Sequence, residues 1–185
     1  MKILGIDPGL RKTGWGLIDF KNNSMEHIDD GFISPLAEND DGDRLLCIFN
    51  EIEDIIVKYK PSVIGIEKTF VGEGNISSLK LGMARGVCIL VAAKAKIEIK
   101  ELAPKLIKKT VTGSGMASKF QVTEMVKKLL GVIPKNEDSA DALAVAISTN
   151  SFSNVKKIKG VNLKENNLNK AIKNALLKEK IKGKF

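Results

Sequence analysis

Histidine and cysteine are nearly missing from this chain: one His and two Cys in 185 residues. Cys47 and Cys88 each sit in an apolar stretch with no second thiol or imidazole at ligand spacing. They read as reduced core residues, which excludes a structural zinc site and a disulfide. His27 lies in a polar stretch and reads as a solvated surface residue, so a histidine-based triad has no base. Long apolar runs are missing too. The longest is about "VCILVAA", far short of the ~20 residues a membrane span needs, and no basic stretch with an apolar core opens the chain. A cytoplasmic protein with no membrane partner is expected. Aromatics make up only 5%, but hydrophobic residues reach 43%, enough for one substantial core with some chain left over.

Charge is abundant and unevenly placed. The formal net charge is +8; residues 1–150 hold 20 basic and 20 acidic residues, whereas residues 151–185 hold ten lysines and two glutamates. Within the first part, residues 19–57 are strongly acidic and residues 58–135 carry 15 Lys/Arg against five Glu. A basic segment joined to a basic tail is the footprint of a polyanion binder.

The pattern of two aliphatics, glycine, isoleucine and acid occurs twice, as "ILGID" at 3–7 and "VIGIE" at 63–67. An acid ending a buried apolar run is costly to desolvate. In extended chain alternate residues share a face, so Ile3, Gly5 and Asp7 point one way and Val63, Gly65 and Glu67 do the same. Paired in register, strands about 4.8 Å apart would bring the two acids close enough to share a cation. "GWGLIDF" and "HIDDGFIS", separated by "KNNS", complete a three-stranded meander. Apolar residues at three- and four-residue steps predict a helix over 43–59 that Pro61 stops. "SVIGIE" follows as a strand, then a helix over 75–95 in which Gly82 and Gly86 permit close packing, then the strand "KIEIKELA". Strands alternating with helices imply parallel pairing. Helical turns come at "PKLIKK" and over 118–130, and a last helix starts near Asp138 and runs through "ADALAVAIS". Asp138 and Asp141, three apart, share a face of that helix. Four carboxylates can converge. They would repel one another unless a hard divalent cation neutralised them, and an all-oxygen donor set points to Mg²⁺, with Mn²⁺ as a substitute, rather than zinc.

The order "GIDPG…TGWG", "IGIEKTF", "LKLGMARGV", "KKTVTGSG" and "DSADALAVA" resembles the RuvC family of bacterial crossover-junction endodeoxyribonucleases, the Holliday junction resolvases. The likeness covers about residues 1–150. It implies an α/β, RNase H-like fold, a five-stranded mixed sheet flanked by helices, working as a homodimer on four-way junction DNA in homologous recombination and repair. It assigns Asp7, Glu67, Asp138 and Asp141 as catalytic, metal-binding residues. It also puts Phe70, in the "TFVGEGN" loop, at the junction centre, where an aromatic stacks on an unpaired base, and Lys108 and Lys119 near the scissile phosphate. A branch-migration motor is implied as a further partner. Two Mg²⁺ per subunit are expected to serve paired symmetric nicking.

Three other readings compete with this one. "GIDPGLRKTGWGLID" also resembles the first phosphate-binding hairpin of actin-like ATPases and sugar kinases, but those enzymes need a second lobe. The RuvX-like branch shares the first strand motif but lacks "LGMARG" and "DSADALA". A catalytically silent DNA-binding module would not need four acids. The expected organisation is a nuclease domain at 1–155 and a lysine-rich tail at 156–185. With scattered apolar residues the tail is expected to be disordered or weakly helical when free, and to add sequence-independent attraction to DNA.

Overall fold

An antiparallel meander builds the first half of a sheet and βα units build the second. The computed structural model describes residues 1–68 and 76–157; Phe70 and the greater part of the lysine-rich tail lie outside that range. In order, the elements are β1 (Lys2–Asp7), β2 (Thr13–Lys21), β3 (Ser24–Ile33), α1 (Asp41–Tyr59), β4 (Val63–Glu67), α2 (Ile76–Lys94), β5 (Glu98–Leu102), α3 (Pro104–Thr112), α4 (Lys119–Leu130) and α5 (Glu137–Lys157). The sheet order is β3-β2-β1-β4-β5. β1, β2 and β3 form the antiparallel meander, and β4 and β5 add in parallel beside β1. Two compact units divide the chain, Met1–Ser153 and Asn154–Phe185. All five strands belong to the first.

Local chemistry explains the element ends. The β2–β3 hairpin turns on Asn22 and Asn23, with φ of 49° and 63°, a two-residue loop whose left-handed backbone Asn tolerates well. Asp40 caps α1 by accepting the Asp43 N–H at 2.9 Å, so that helix begins two residues before the expected Asp43. Ser118 and Gln121 close a capping box on α4, which satisfies two helix-end donors at once. α3 continues to Thr112, well past "PKLIKK".

The sheet carries a core on each face. Leu4, Ile6, Leu17, Ile64 and Ile66 meet Ile48 and Ile52 of α1 and Ala84, Cys88 and Val91 of α2. On the other face Ile3, Ile18 and Val63 meet Ile107 of α3, Val122 and Val126 of α4, and Leu143, Val145 and Ala146 of α5. Cys88 is buried in the first of these cores, as expected, and both cysteines are free thiols.

One row of residues sets how close α5 comes. The register pairs Gly5 with Gly16 on β2 and with Gly65 on β4, so three glycines lie side by side across three strands. A Cβ on Gly5 would stand 2.1 Å from the Ala142 carbonyl oxygen and 2.4 Å from the Ala146 nitrogen. On Gly65 it would stand 1.9 Å from Thr149 Oγ1, and on Gly16 2.8 Å from the Leu143 nitrogen. The helix backbone rests directly on the sheet backbone, and the alanines of "ADALAVAIS" supply the matching small surface.

Two expectations need correction. Gly82 and Gly86 of α2 meet nothing within 4 Å among the described residues, so they permit no close packing inside this fold. His27 is not a solvated residue: its side chain is 19% exposed and its Nε2 lies 2.8 Å from Oδ1 of Asp30, itself 2% exposed. The register skips Ile28, since Ile18 pairs with His27 and Leu17 with Asp29. That bulge re-aims the side chains so that residues three apart meet on one face, which a regular strand would forbid.

Because the Gly5 neighbours are backbone atoms that cannot swing aside, Gly5→Ala should destabilise the fold by about 3 kcal/mol, at the upper end for overpacking. Urea denaturation monitored by circular dichroism measures it directly.

Candidate active site

Asp7 ends β1 and Glu67 ends β4 on adjacent parallel strands, and the register Ile6↔Ile66 puts them at the same level. Asp141 is reached from above: it lies one residue before Ala142, whose carbonyl sits over Gly5. These three acids line one cleft of about 220 Å³ together with Lys108 of α3 and Lys119, the first residue of α4. Five of the seven residues picked out from the sequence therefore share one hollow. Asp138 stands at its rim, bordering a neighbouring cavity, with Oδ2 3.8 Å from Lys12 Nζ. Phe70 falls outside the described residues.

The electrostatics of the cleft are those of carboxylates crowded without enough positive charge. Burial pushes Asp7 up to about 7, and the charges of Asp141 and Asp138 push the same way, opposed by Lys119. Glu67 is raised to about 7 first by burial, then by Asp7 and Asp141, opposed by Lys108. Burial raises Asp141 as well, against the pull of Lys119. Lys119 Nζ lies 3.0 Å from Asp141 Oδ2 and 3.3 Å from Glu137 Oε2. Burial disfavours its charge, but the bonds to these carboxylates outweigh that and raise its pKa.

A polar network that sequence reasoning missed fixes the start of α5. Asp30 Oδ2 accepts the Lys135 backbone N–H at 2.8 Å, and Lys135 Nζ pairs with Asp29 Oδ1 at 2.7 Å. Tyr59 of α1 donates its hydroxyl to Asp29. Burial pushes Asp29 up, but the hydrogen bonds from Lys135 and Tyr59 prevail and hold it at about 2. One residue further on, Asn136 Oδ1 accepts the Ser139 N–H at 2.7 Å, the bond of a helix cap. The acidic stretch "HIDDG" thus ties β3 to the segment from which Asp138 and Asp141 project. Its signal in the sequence was the acid excess; its partner lies more than a hundred residues away.

Among the described residues, no three Asp, Glu, His or Cys side chains are gathered closely enough to hold a metal ion as they stand. The donor chemistry nonetheless fits a hard divalent cation. All donors are carboxylate oxygens, and their raised pKa values are what an uncompensated anionic cluster produces. Lys119 on Asp141 supplies only a single positive charge there.

Comparison with known proteins gives this geometry a family. A family model described as crossover junction endodeoxyribonuclease RuvC matches residues 3–149. A protein of that name from Ruegeria pomeroyi is 48% identical over 149 residues, covering 80% of this chain and 89% of its own. One from Paramagnetospirillum magneticum is 47% identical over 148 residues, covering 80% and 89%. Among solved structures, T. thermophilus RuvC in complex with Holliday junction substrate superposes with a TM-score of 0.78 at 24% identity, covering 84% of this chain and 96% of that one. The yeast mitochondrial Holliday junction resolvase Ydc2 superposes with a TM-score of 0.55 at 16% identity, covering 84% of each. These likenesses identify the fold as RNase H-like, and the sequence matches show that this chain belongs to the RuvC family of crossover junction endodeoxyribonucleases.

Proposed function

We propose that the cleft hydrolyses phosphodiester bonds of four-way DNA junctions, making paired symmetric nicks in homologous recombination and repair. The observation that carries this reading is the convergence of Asp7, Glu67 and Asp141 with Lys108 and Lys119 on one hollow. Carboxylates alone would repel a phosphodiester; two ammonium groups beside them give its oxygens donors. Asp7, Glu67 and Asp141, with Asp138 at the rim, would hold Mg²⁺ or Mn²⁺, and four carboxylates are enough donors for two ions per subunit. Bound there, such an ion supplies the charge that stabilises the phosphoryl transition state and the leaving oxygen, and it acidifies water. Lys119 and Lys108 orient the scissile phosphate. Among the described residues the cleft lining offers no Ser, Cys or His as nucleophile or base, which favours direct attack by water, leaving a 5′-phosphate and a 3′-hydroxyl.

Two nicks of like polarity need two such clefts related by a twofold axis. α2 supports a homodimer. Leu79, Met83 and Leu90 are 64%, 36% and 59% exposed, and with the open Gly82 and Gly86 they fall on one helical stripe, opposite the buried Ala84, Cys88 and Val91. A helix apolar on both sides is built to be covered twice. On the same reading Phe70 stacks on an unpaired base at the junction centre, residues 1–155 form the nuclease domain, and the lysine-rich tail at 156–185 adds salt-sensitive attraction. A branch-migration motor is the further partner, and the cytoplasm the site of action. No helix among the described residues is long and apolar enough to cross a membrane.

Three outcomes are expected. Asp7→Asn, Glu67→Gln and Asp141→Asn should each slow junction nicking by roughly a thousandfold or more, the loss of several kcal/mol of transition-state stabilisation. Metal-free junction binding, measured by gel shift, should survive. Leu79→Glu with Leu90→Glu should convert a dimer into a folded monomer by light scattering, since both side chains are exposed in the monomer. Without divalent ions, the raised pKa values of Asp7 and Glu67 stabilise the fold below about pH 4. That contribution is lost as pH rises through about 7. The melting temperature should fall across that window, and Asp7→Asn should flatten the fall.

A further inference from the structure

Beside the catalytic cleft lies a larger hollow of about 650 Å³ that the proposed chemistry leaves unused. Its cations come from two separate segments: Arg11 and Lys12 from the β1–β2 turn and Arg44 from the first turns of α1. Among the described residues Asp138 is its one acidic wall. Three positive groups face one carboxylate.

The turn that carries Arg11 and Lys12 is fixed, and among the described residues the three cations are only partly neutralised. A Cβ on Gly9 would stand 2.3 Å from the Lys12 carbonyl oxygen, so the turn is closed tightly. The fully buried Thr13 locks it by donating to the Gly9 carbonyl at 2.8 Å. Lys12 Nζ reaches Asp138 only at 3.8 Å, and lies 5.4 Å from the centre of the Phe32 ring. Of the acids close to Arg44 along the chain, Asp40 accepts the Asp43 N–H and Asp41 pairs with Lys80 at 3.1 Å, and among the described residues no ion pair joins Arg44 to Asp43. Arg44 Nε is buried without a hydrogen-bond partner among the described residues. An unpaired buried guanidinium N–H costs free energy that a bound anion would recover. A guanidinium matches the oxygens of a phosphate in particular.

We propose that this hollow is a second phosphate site, which takes a backbone phosphodiester of the junction strand flanking the scissile one. Arg11 and Arg44 grip that phosphate, and Lys12 bridges between it and Asp138. The site rests on the reading of the adjoining cleft as the nuclease centre, and deepens it by fixing where the cut strand continues. The hollow is far larger than a lone phosphate group, which favours a nucleotide backbone over a free anion.

The test replaces single phosphates around the nick, one at a time, by uncharged methylphosphonates, and pairs each junction with wild type, Arg11→Gln, Arg44→Gln and the double variant. Binding is followed by fluorescence anisotropy between 50 and 200 mM salt. Each single variant should weaken binding about tenfold and lower the slope of log K against log salt by about 1, with the melting temperature unchanged. One methylphosphonate position should do the same to wild type and cost the double variant nothing further. Arg11 is exposed, so its variant tests the idea even if Arg44→Gln fails to fold. If every methylphosphonate costs variant and wild type equally, the second site is refuted. It is also refuted if inorganic phosphate raises the melting temperature through Arg11 and Arg44 while no backbone position couples to them. Wild type that binds junctions with this coupling yet never nicks them with Mg²⁺ would instead refute the nuclease reading.

Discussion

The contact between the backbone of α5 and the glycine row of the sheet is the constraint on which the site depends. Gly5, Gly16 and Gly65 remove the side chains that would otherwise hold a helix about 10 Å from a sheet, and Ala142 and Ala146 do the same from the helix side. With the separation reduced, an acid on α5 can share one cleft with the acids at the ends of β1 and β4. Replace any of these small residues by a larger one and Asp141 is lifted away from Asp7 and Glu67. The doubled pattern "ILGID" and "VIGIE" therefore records two requirements at once, a place for the helix and, two residues on, a carboxylate on the same face.

That arrangement works against the stability of the empty fold. Burial raises the pKa values of Asp7, Glu67 and Asp141, neighbouring carboxylates push the same way, and Lys108 and Lys119 offset this in part. The surrounding structure holds the acids together: two apolar cores clamp the sheet, and the Asp29, Asp30, Tyr59 and Lys135 network pins the segment that leads into α5. Strain of this kind concentrates where function requires it. The basic walls nearby, at Arg11, Lys12 and Arg44, add charge of the other sign, which an anion would offset, whereas the carboxylates need a bound cation.

Much of this was legible from the residues alone. Period-two and period-3.6 patterning placed five strands and the principal helices, and two acids at matching offsets after glycines pointed to a shared site. What escaped depended on long-range partners or on backbone irregularity. His27 looked solvated because the bulge at Ile28, which turns it toward Asp30, has no composition signature. The glycines of α2 looked like internal packing sites, since small residues at helical spacing mark a close neighbour without saying whether it belongs to the same chain. Asp138 and Asp141 share a helix face at three-residue spacing, but Asp138, at the helix start, had a structural role open to it as well; Asp141 lines the cleft and Asp138 the other hollow. Helix ends shifted by a few residues where caps, such as Asp40, outweighed apolar periodicity.

Anomalous diffraction from crystals of the full chain grown with Mn²⁺ tests most directly whether these carboxylates form the metal centre of the nuclease. The account predicts two peaks per subunit in the cleft, with oxygens of Asp7, Glu67 and Asp141 as ligands and Lys119 displaced from Asp141. Density for Mn²⁺ elsewhere with none in the cleft, in crystals whose protein still nicks junctions, would contradict it.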